Sequence, residues 1–311
     1  MSVRFVVVAV LFSILLRTVQ PSEIIEAFRQ ADPLYFGLAV FLMIPNLLLQ
    51  MIKWNYLLGK LTNKPSFSRV AVSVLGGYFL GAISPARSGE MARGILIPGQ
   101  STLKIASLTI ADKGMNQIMV IVAGLFTLVV ILPMPLSLLP LIGVVTLIGA
   151  LFNIHRLRPV IERFLHKYIH TKKVDNILAA FDALSTETVI VMTGLTFLLY
   201  LVFVFQFYVV IVSFVDLPVS TAVRTLPVIY LINYVLPVSF GDFGVKEMAT
   251  VHLLQPFGIA GGESFSASIT HNVLTFLAPS IIGGIICAIF FPRPDREVPS
   301  SACDKVHEQE M

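Results

Sequence analysis

Pro85-Ala86-Arg87-Ser88-Gly89-Glu90-Met91-Ala92-Arg93 and Pro237-Val238-Ser239-Phe240-Gly241-Asp242-Phe243-Gly244-Val245-Lys246-Glu247-Met248-Ala249 decide the reading of this chain. Each sets a proline, glycines and ionised side chains inside an otherwise apolar segment. A charge at the bilayer centre costs about 2.5–3.5 kcal/mol on insertion scales, so such side chains rarely face lipid. A membrane protein that carries the pattern twice is expected to hold a polar site where two broken segments meet.

The rest of the chain sets the medium. Of 311 residues, 56% are hydrophobic and 13% charged, which excludes an ordinary soluble globular domain. Several apolar runs approach or exceed the roughly 20 residues that span a bilayer. The formal charge of +4 carries no nucleic-acid signal. Its basic residues cluster in short loops between apolar runs, where they report orientation. Cys287 sits in the last apolar run and Cys303 in the polar tail, so neither a disulfide nor a Cys-x-x-Cys metal site is expected. The N-terminal run from Phe5 to Leu16 lacks a small-x-small cleavage site and reads as an uncleaved first span.

Spans are expected at about 3–19, 34–52, 104–132, 141–154, 188–214 and 265–291. Residues 20–33 mix both charge signs with two prolines and read as a loop. Lys53-Trp54 reads as the interfacial end of the second span. Residues 53–69 are basic, and 155–187 form a basic amphipathic segment on the cytoplasmic membrane face. Two full spans separate these basic stretches. The interrupted segment 70–97 must therefore return to its own side, and by the same logic segment 220–258 begins and ends outside. The predicted fold class is an all-α, polytopic transmembrane helical bundle with about six spans and two re-entrant helical hairpins. Its halves, 34–132 and 188–291, form an inverted repeat within a single membrane domain, 1–291. A disordered cytoplasmic tail, 292–311, follows, and both termini are cytoplasmic. A short echo agrees: Tyr78 precedes Pro85 and Gly-Glu-Met-Ala follows, while Tyr230 precedes Pro237 and Lys-Glu-Met-Ala follows.

The ion-bearing residues are candidates for binding a lipid headgroup. Arg87 and Arg93 either grip a phosphate through charge-assisted, fork-like hydrogen bonds or close the hairpin on Glu90. Glu90 either pairs with arginine or meets a cationic headgroup. Lys246 and Glu247 are adjacent, so one of them faces the cavity. Asp242 lies at the cavity mouth or in an exposed turn. Asp112 and Lys113 either extend the polar path or sit at the interface. Pro85 and Pro237 break helices because they lack an amide donor. Gly89, Gly241 and Gly244 permit unusual backbone geometry and close approach. Half-helix N-termini freed by these breaks offer amides to an anion. His252 and His271 read as packed histidines rather than a proton relay. Asn46, Gln50, Asn233 and Asn272 read as hydrogen-bonding contacts between helices. Gly76-Gly77 and Gly283-Gly284 read as close-packing sites. Gly-x-Ser-x-Gly, the P-loop and His-Glu-x-x-His are all absent from the sequence, and no metal or cofactor is expected.

Lys53-Trp54, the Tyr78-to-Arg93 stretch with Pro-x-Arg-x-Gly-Glu-x-x-Arg, and Leu236-Pro237…Gly241-x-x-Gly244-x-Lys246-Glu247 together resemble one family. It is the lysylphosphatidylglycerol synthase transmembrane-region family, also called flippase-like membrane proteins. The resemblance runs from about residue 5 to 290. It implies a helical bundle that moves a lipid between leaflets of the bacterial or archaeal inner membrane. The lipid would be an aminoacylated phosphatidylglycerol or a polyprenyl-phosphate-linked one. The partners it implies are that lipid, the membrane, a separate synthase or transferase, and a second copy in a homo-oligomer. Asn116 stands where the family tends to carry an acid, Lys246 where arginine is more usual, and Asp242 where glycine is common. Lysine lacks arginine's planar two-point contact with phosphate. The chain ends at Met311 without the aminoacyltransferase domain of bifunctional members, so the synthase reaction is not implied. The alternatives are a membrane-embedded enzyme using a lipid-phosphate donor, with Asp112, Asp242 or Glu247 as base, and an accessory subunit of an envelope-synthesis complex.

Overall fold

Asp32 and Pro33 start the first long apolar helix of the computed structural model. The Asp32 carboxylate accepts the backbone amides of Leu34 at 2.7 Å and Tyr35 at 3.3 Å, and proline occupies the first helical position, where no amide is needed. The structure describes residues 21–61, 66–97, 101–153, 158–159, 162–163, 178, 181–236 and 244–290. Within them the chain forms α1 (Pro21–Gln30), α2 (Pro33–Phe41), α3 (Met43–Leu58) and α4 (Phe67–Ala82). A 3₁₀ segment (Pro85–Leu96), α5 (Thr102–Ile131), α6 (Leu138–Phe152) and α7 (Thr186–Phe214) follow. Then come α8 (Val219–Val235), α9 (Val245–Leu254), α10 (Gly261–Asn272), a π-helical turn (Val273–Leu277) and α11 (Ala278–Phe290). The described residues contain no strand.

The protein is thus an all-helical membrane protein. Among the described residues, four stretches are long and apolar enough to cross a bilayer: Pro33–Leu58, Thr102–Ile131, Thr186–Phe214 and Gly261–Ile289. They coincide with the expected spans at 34–52, 104–132, 188–214 and 265–291. The expected span at 141–154 appears as α6, whose 15 residues reach about 22 Å, short of a hydrocarbon core of about 30 Å. The expected first span (3–19), most of the amphipathic segment 155–187 and the tail 292–311 lie outside the described residues.

Two expectations are corrected. Residues 20–33 are not a loop, because Pro21–Gln30 is helical. Its proline opens the helix, Glu23 stands in its first turn and Arg29 in its last, each favourable to the helix dipole. It packs on α10, where a Cβ at Gly262 would meet the Glu23 side chain at 2.6 Å. The expected second span, 34–52, does not end at Lys53-Trp54 but continues through them in α3. It runs on to Leu58, and both residues are buried rather than interfacial, Lys53 at 1% exposure.

The first interrupted segment folds back on itself. Gly76 lies against Leu96, Gly77 against Arg93 and Gly81 against Glu90, so α4 and the 3₁₀ segment run antiparallel. Gly89 makes the turn close: a Cβ there would run into the Leu80 carbonyl, and its amide donates to Ser84 Oγ at 2.6 Å. The second interrupted segment has α8 and α9 in contact on either side of residues 237–243, which lie outside the described residues.

The arms then exchange partners. α4 packs on α11, and α8 packs on α5. Both crossings depend on a glycine of the long helix. Gly283 lies on the Leu75 backbone, and a Cβ at Gly124 would meet Leu231 Cβ at 2.5 Å and the Pro227 carbonyl at 2.9 Å. Gly283-Gly284 and Gly76 are therefore close-packing sites. Gly283→Ala should destabilise the protein by about 1–3 kcal/mol, the usual range for overpacking. Gly194→Ala, with nothing within 4 Å of its Cβ, should leave the thermal midpoint in detergent unchanged or raised. Equal midpoints for the two variants would refute this crossing.

Candidate functional site

Arg87, Glu90 and Arg93 stand three residues apart, and in a 3₁₀ helix that spacing eclipses them on one side. Twelve residues is long for this helix type, and Arg87 has a φ of 56°, a left-handed backbone that bulky side chains avoid. Such strain persists only where the surroundings impose it. Arg87 Nε donates to Glu90 Oε1 at 2.6 Å, and its guanidinium lies 4.1 Å from the Phe276 ring centroid. Lys113, on α5, closes on the other Glu90 oxygen. Glu90 is therefore held between two cations and is almost fully buried.

Arg93 turns the other way. Its guanidinium stacks 3.4 Å from the Trp54 ring centroid, and its nitrogens donate to Thr109 Oγ1 at 2.9 Å and Asp112 Oδ2 at 3.1 Å. Lys53 Nζ reaches Asp112 Oδ1 at 3.0 Å and also donates to Asn116 and Thr196. Two buried cations thus share one buried carboxylate.

The second motif places its charges behind Gly244. That residue has a φ of 111° and caps the N-terminus of α9, a conformation open to glycine. Its amide donates to Glu247 Oε2 at 2.5 Å. The other Glu247 oxygen accepts from Asn272 Nδ2 at 2.7 Å and Ser268 Oγ at 3.2 Å. Lys246 Nζ meets Asn272 Oδ1 and, at 3.1 Å, His271 Nδ1. His271 Nε2 faces the Phe203 carbonyl oxygen at 3.3 Å, so the ring proton belongs on Nε2 and Nδ1 accepts from the lysine. His271 is a packed histidine. His252 is exposed and bonds the Met248 carbonyl of its own helix.

Both motifs border one cavity of about 570 Å³. Arg87, Glu90 and Lys113 line it from the first half of the chain and Lys246 from the second. They converge around one turn of chain: Lys246 bonds Asn272, and Arg87 lies over Phe276, four residues on, across the π-helical turn. Helical turns of this type cluster at functional sites. Asn46, Gln50, Asn233 and Asn272 also line the cavity. Three of them bond between helices: Asn46 to Gln206 at 3.4 Å, Gln50 to Tyr78 at 2.6 Å, and Asn272 to Lys246 and Glu247.

The remaining expected site residues are placed elsewhere. Arg93, Asp112 and Glu247 stand outside the cavity lining, each held by neighbouring side chains or, for Glu247, by the Gly244 amide. Pro85 opens the 3₁₀ segment, while Pro237, Gly241 and Asp242 lie outside the described residues. Sequence reasoning missed Lys53, Thr196, Tyr200 and Tyr230. A lysine next to tryptophan has the same signature at an interface as in a buried pair, and only the acid at position 112 hinted otherwise.

A helical membrane protein with a charged cavity between two broken segments is the class these observations define. The family model for the lysylphosphatidylglycerol synthase TM region matches residues 1–283, and the chain belongs to that family. No curated protein and no solved structure matches it.

Proposed function

We propose that the protein is a lipid flippase or scramblase, which lets a phosphate-bearing headgroup cross the inner membrane through this cavity while the hydrocarbon chains stay in lipid. The observation that carries the reading is the lining itself. Three cations, Arg87, Lys113 and Lys246, face it with one carboxylate, Glu90, among the described residues. An anion gains charge-assisted hydrogen bonds there that it would otherwise lose on leaving water. Carbonyl, amide and phenol groups from both halves offer further partners along the wall.

The exchanged packing of α4 on α11 and α8 on α5 supports reading 34–132 and 188–291 as related halves that enter from opposite sides. Sites between such halves lie near the bilayer midplane. Cytoplasmic termini follow from the same topology. The enzyme reading is less well supported, because Asp112 is held between two cations and Glu247 caps a helix.

The test is transport of headgroup-labelled phosphatidylglycerol in vesicles containing the purified full chain. Label should reach the inner leaflet faster than in protein-free vesicles and far faster than with Arg87→Ala/Lys246→Ala. Equal rates in all three would refute the reading.

A further inference from the structure

The short helix α1 has two unlike flanks. Its inner side faces the bundle: Ile24 packs with Val251 of α9 and Phe265 of α10, and Ala27 is buried. Ile25 and Phe28, three residues apart and so neighbours on the helix surface, stay 57% and 46% exposed. At about 100° per residue, Glu23, Glu26 and Gln30 form the opposite flank. They are exposed too, and Gln30 Nε2 donates to Glu26 Oε1 at 2.6 Å. One flank therefore suits hydrocarbon and the other water.

The ends of three membrane-crossing stretches set the level at which α1 lies. Ala31 and Asp32 alone separate it from Pro33, which opens the first stretch. The Phe28 ring meets that of Phe214, the last residue of Thr186–Phe214, edge-on at 5.1 Å. Beside it the Asp32 amide donates to the Ser213 carbonyl at 2.7 Å. Glu23 lies against Gly262, the second residue of Gly261–Ile289. A helix resting on three such ends sits where hydrocarbon gives way to headgroups.

We infer that α1 is a membrane-surface helix. Ile25 and Phe28 enter the boundary between headgroups and acyl chains of the leaflet in which α2 begins, and Glu23, Glu26 and Gln30 face the water. Helices of this kind sink their apolar side about 5–10 Å into that boundary. Two acids against Arg29 give α1 no net attraction to anionic lipid, so apolar area and its packing on α7, α9 and α10 hold it there. The inference stands whether or not the cavity takes a lipid.

The test uses the purified full chain carrying Cys287→Ser and Cys303→Ser, with a single cysteine introduced as Ile25→Cys, Glu26→Cys or Phe41→Cys and labelled with nitrobenzoxadiazole. All three sites are exposed, and each labelled variant is checked for an unchanged thermal midpoint. Phe41, eight residues along the helix from Pro33, serves as a marker about 12 Å deeper if α2 stands upright. The proteins are placed in vesicles of phosphatidylcholine and phosphatidylglycerol. Quenching is read with iodide on both sides and with nitroxide carried shallow or deep on the acyl chain. The label at 25 should be quenched by shallow nitroxide more than by deep, and several-fold less by iodide than the label at 26. The label at 41 should answer best to deep nitroxide. Equal iodide quenching at 25 and 26 would overturn the inference, since the apolar flank would then lie in water, open to a soluble partner. Shielding of position 25 from both quenchers would overturn it as well, because protein would then cover that flank. A depth at 25 equal to that at 41 would remove α1 from the surface altogether.

Discussion

Asp112→Ala should destabilise the protein by about 3–5 kcal/mol, the cost of stripping a buried ion pair of one partner. Lys53 and Arg93 both lean on this carboxylate, at 3.0 and 3.1 Å, and all three groups are buried. Without it, two like charges remain in a low-dielectric interior, bonded to or stacked on neutral groups: Asn116 and Thr196 for Lys53, Thr109 and the Trp54 ring for Arg93. Lys53→Met is the informative contrast. It leaves Arg93 and Asp112 as a balanced pair, so its effect should be below about 1 kcal/mol, in line with exchanges of buried ions for apolar groups of similar volume. Thermal unfolding in detergent would show a large drop for the first variant and a small one for the second. Equal drops would mean that charge balance is not what the network supplies.

Arg87→Ala/Lys246→Ala should abolish lipid movement while leaving the fold intact. A hydrogen bond to a charged group is worth about 1.5–3 kcal/mol, so each cation removed should slow transport by about tenfold to a hundredfold if it meets the phosphate in transit. The two act from different halves of the chain, Arg87 over Phe276 and Lys246 on Asn272. Single variants should each retain measurable transport and the double variant close to none. Arg87→Lys should keep more than Arg87→Ala, because charge survives although the planar two-point contact is lost. A double variant no slower than either single one would place the lipid path elsewhere.

Much of this architecture was legible in the sequence because hydrophobic length is a strong signal in a membrane protein. Apolar runs and the breaks at Pro85 and at Pro237 to Gly244 located the long helices and both interruptions. Finer placement was not legible, for physical reasons. Positions 246 and 247 differ by about 100° around a helix, and sequence alone leaves open which one lines the cavity. The fold answers it through Gly244, whose amide takes Glu247 away and leaves Lys246 on the wall. Arg93 shares a spacing with Arg87 and Glu90, yet Trp54 draws it behind the wall. The two prolines and mixed charges of residues 20–33 suggest breaks, whereas within Pro21–Gln30 the opening proline, Glu23 and Arg29 stand in the order of start and stop signals for a short helix. The cavity's neutral wall was hidden for another reason. Tyr200 and Tyr230 lie inside apolar runs, where a tyrosine reads as core until its hydroxyl is traced.

The most direct test of the shared cavity is a structure of the full chain in nanodiscs containing phosphatidylglycerol. The account expects lipid phosphate between Arg87 and Lys246, within hydrogen-bond reach of both. Lipid confined to the outer surface of the helices, with the cavity holding only water, would contradict it.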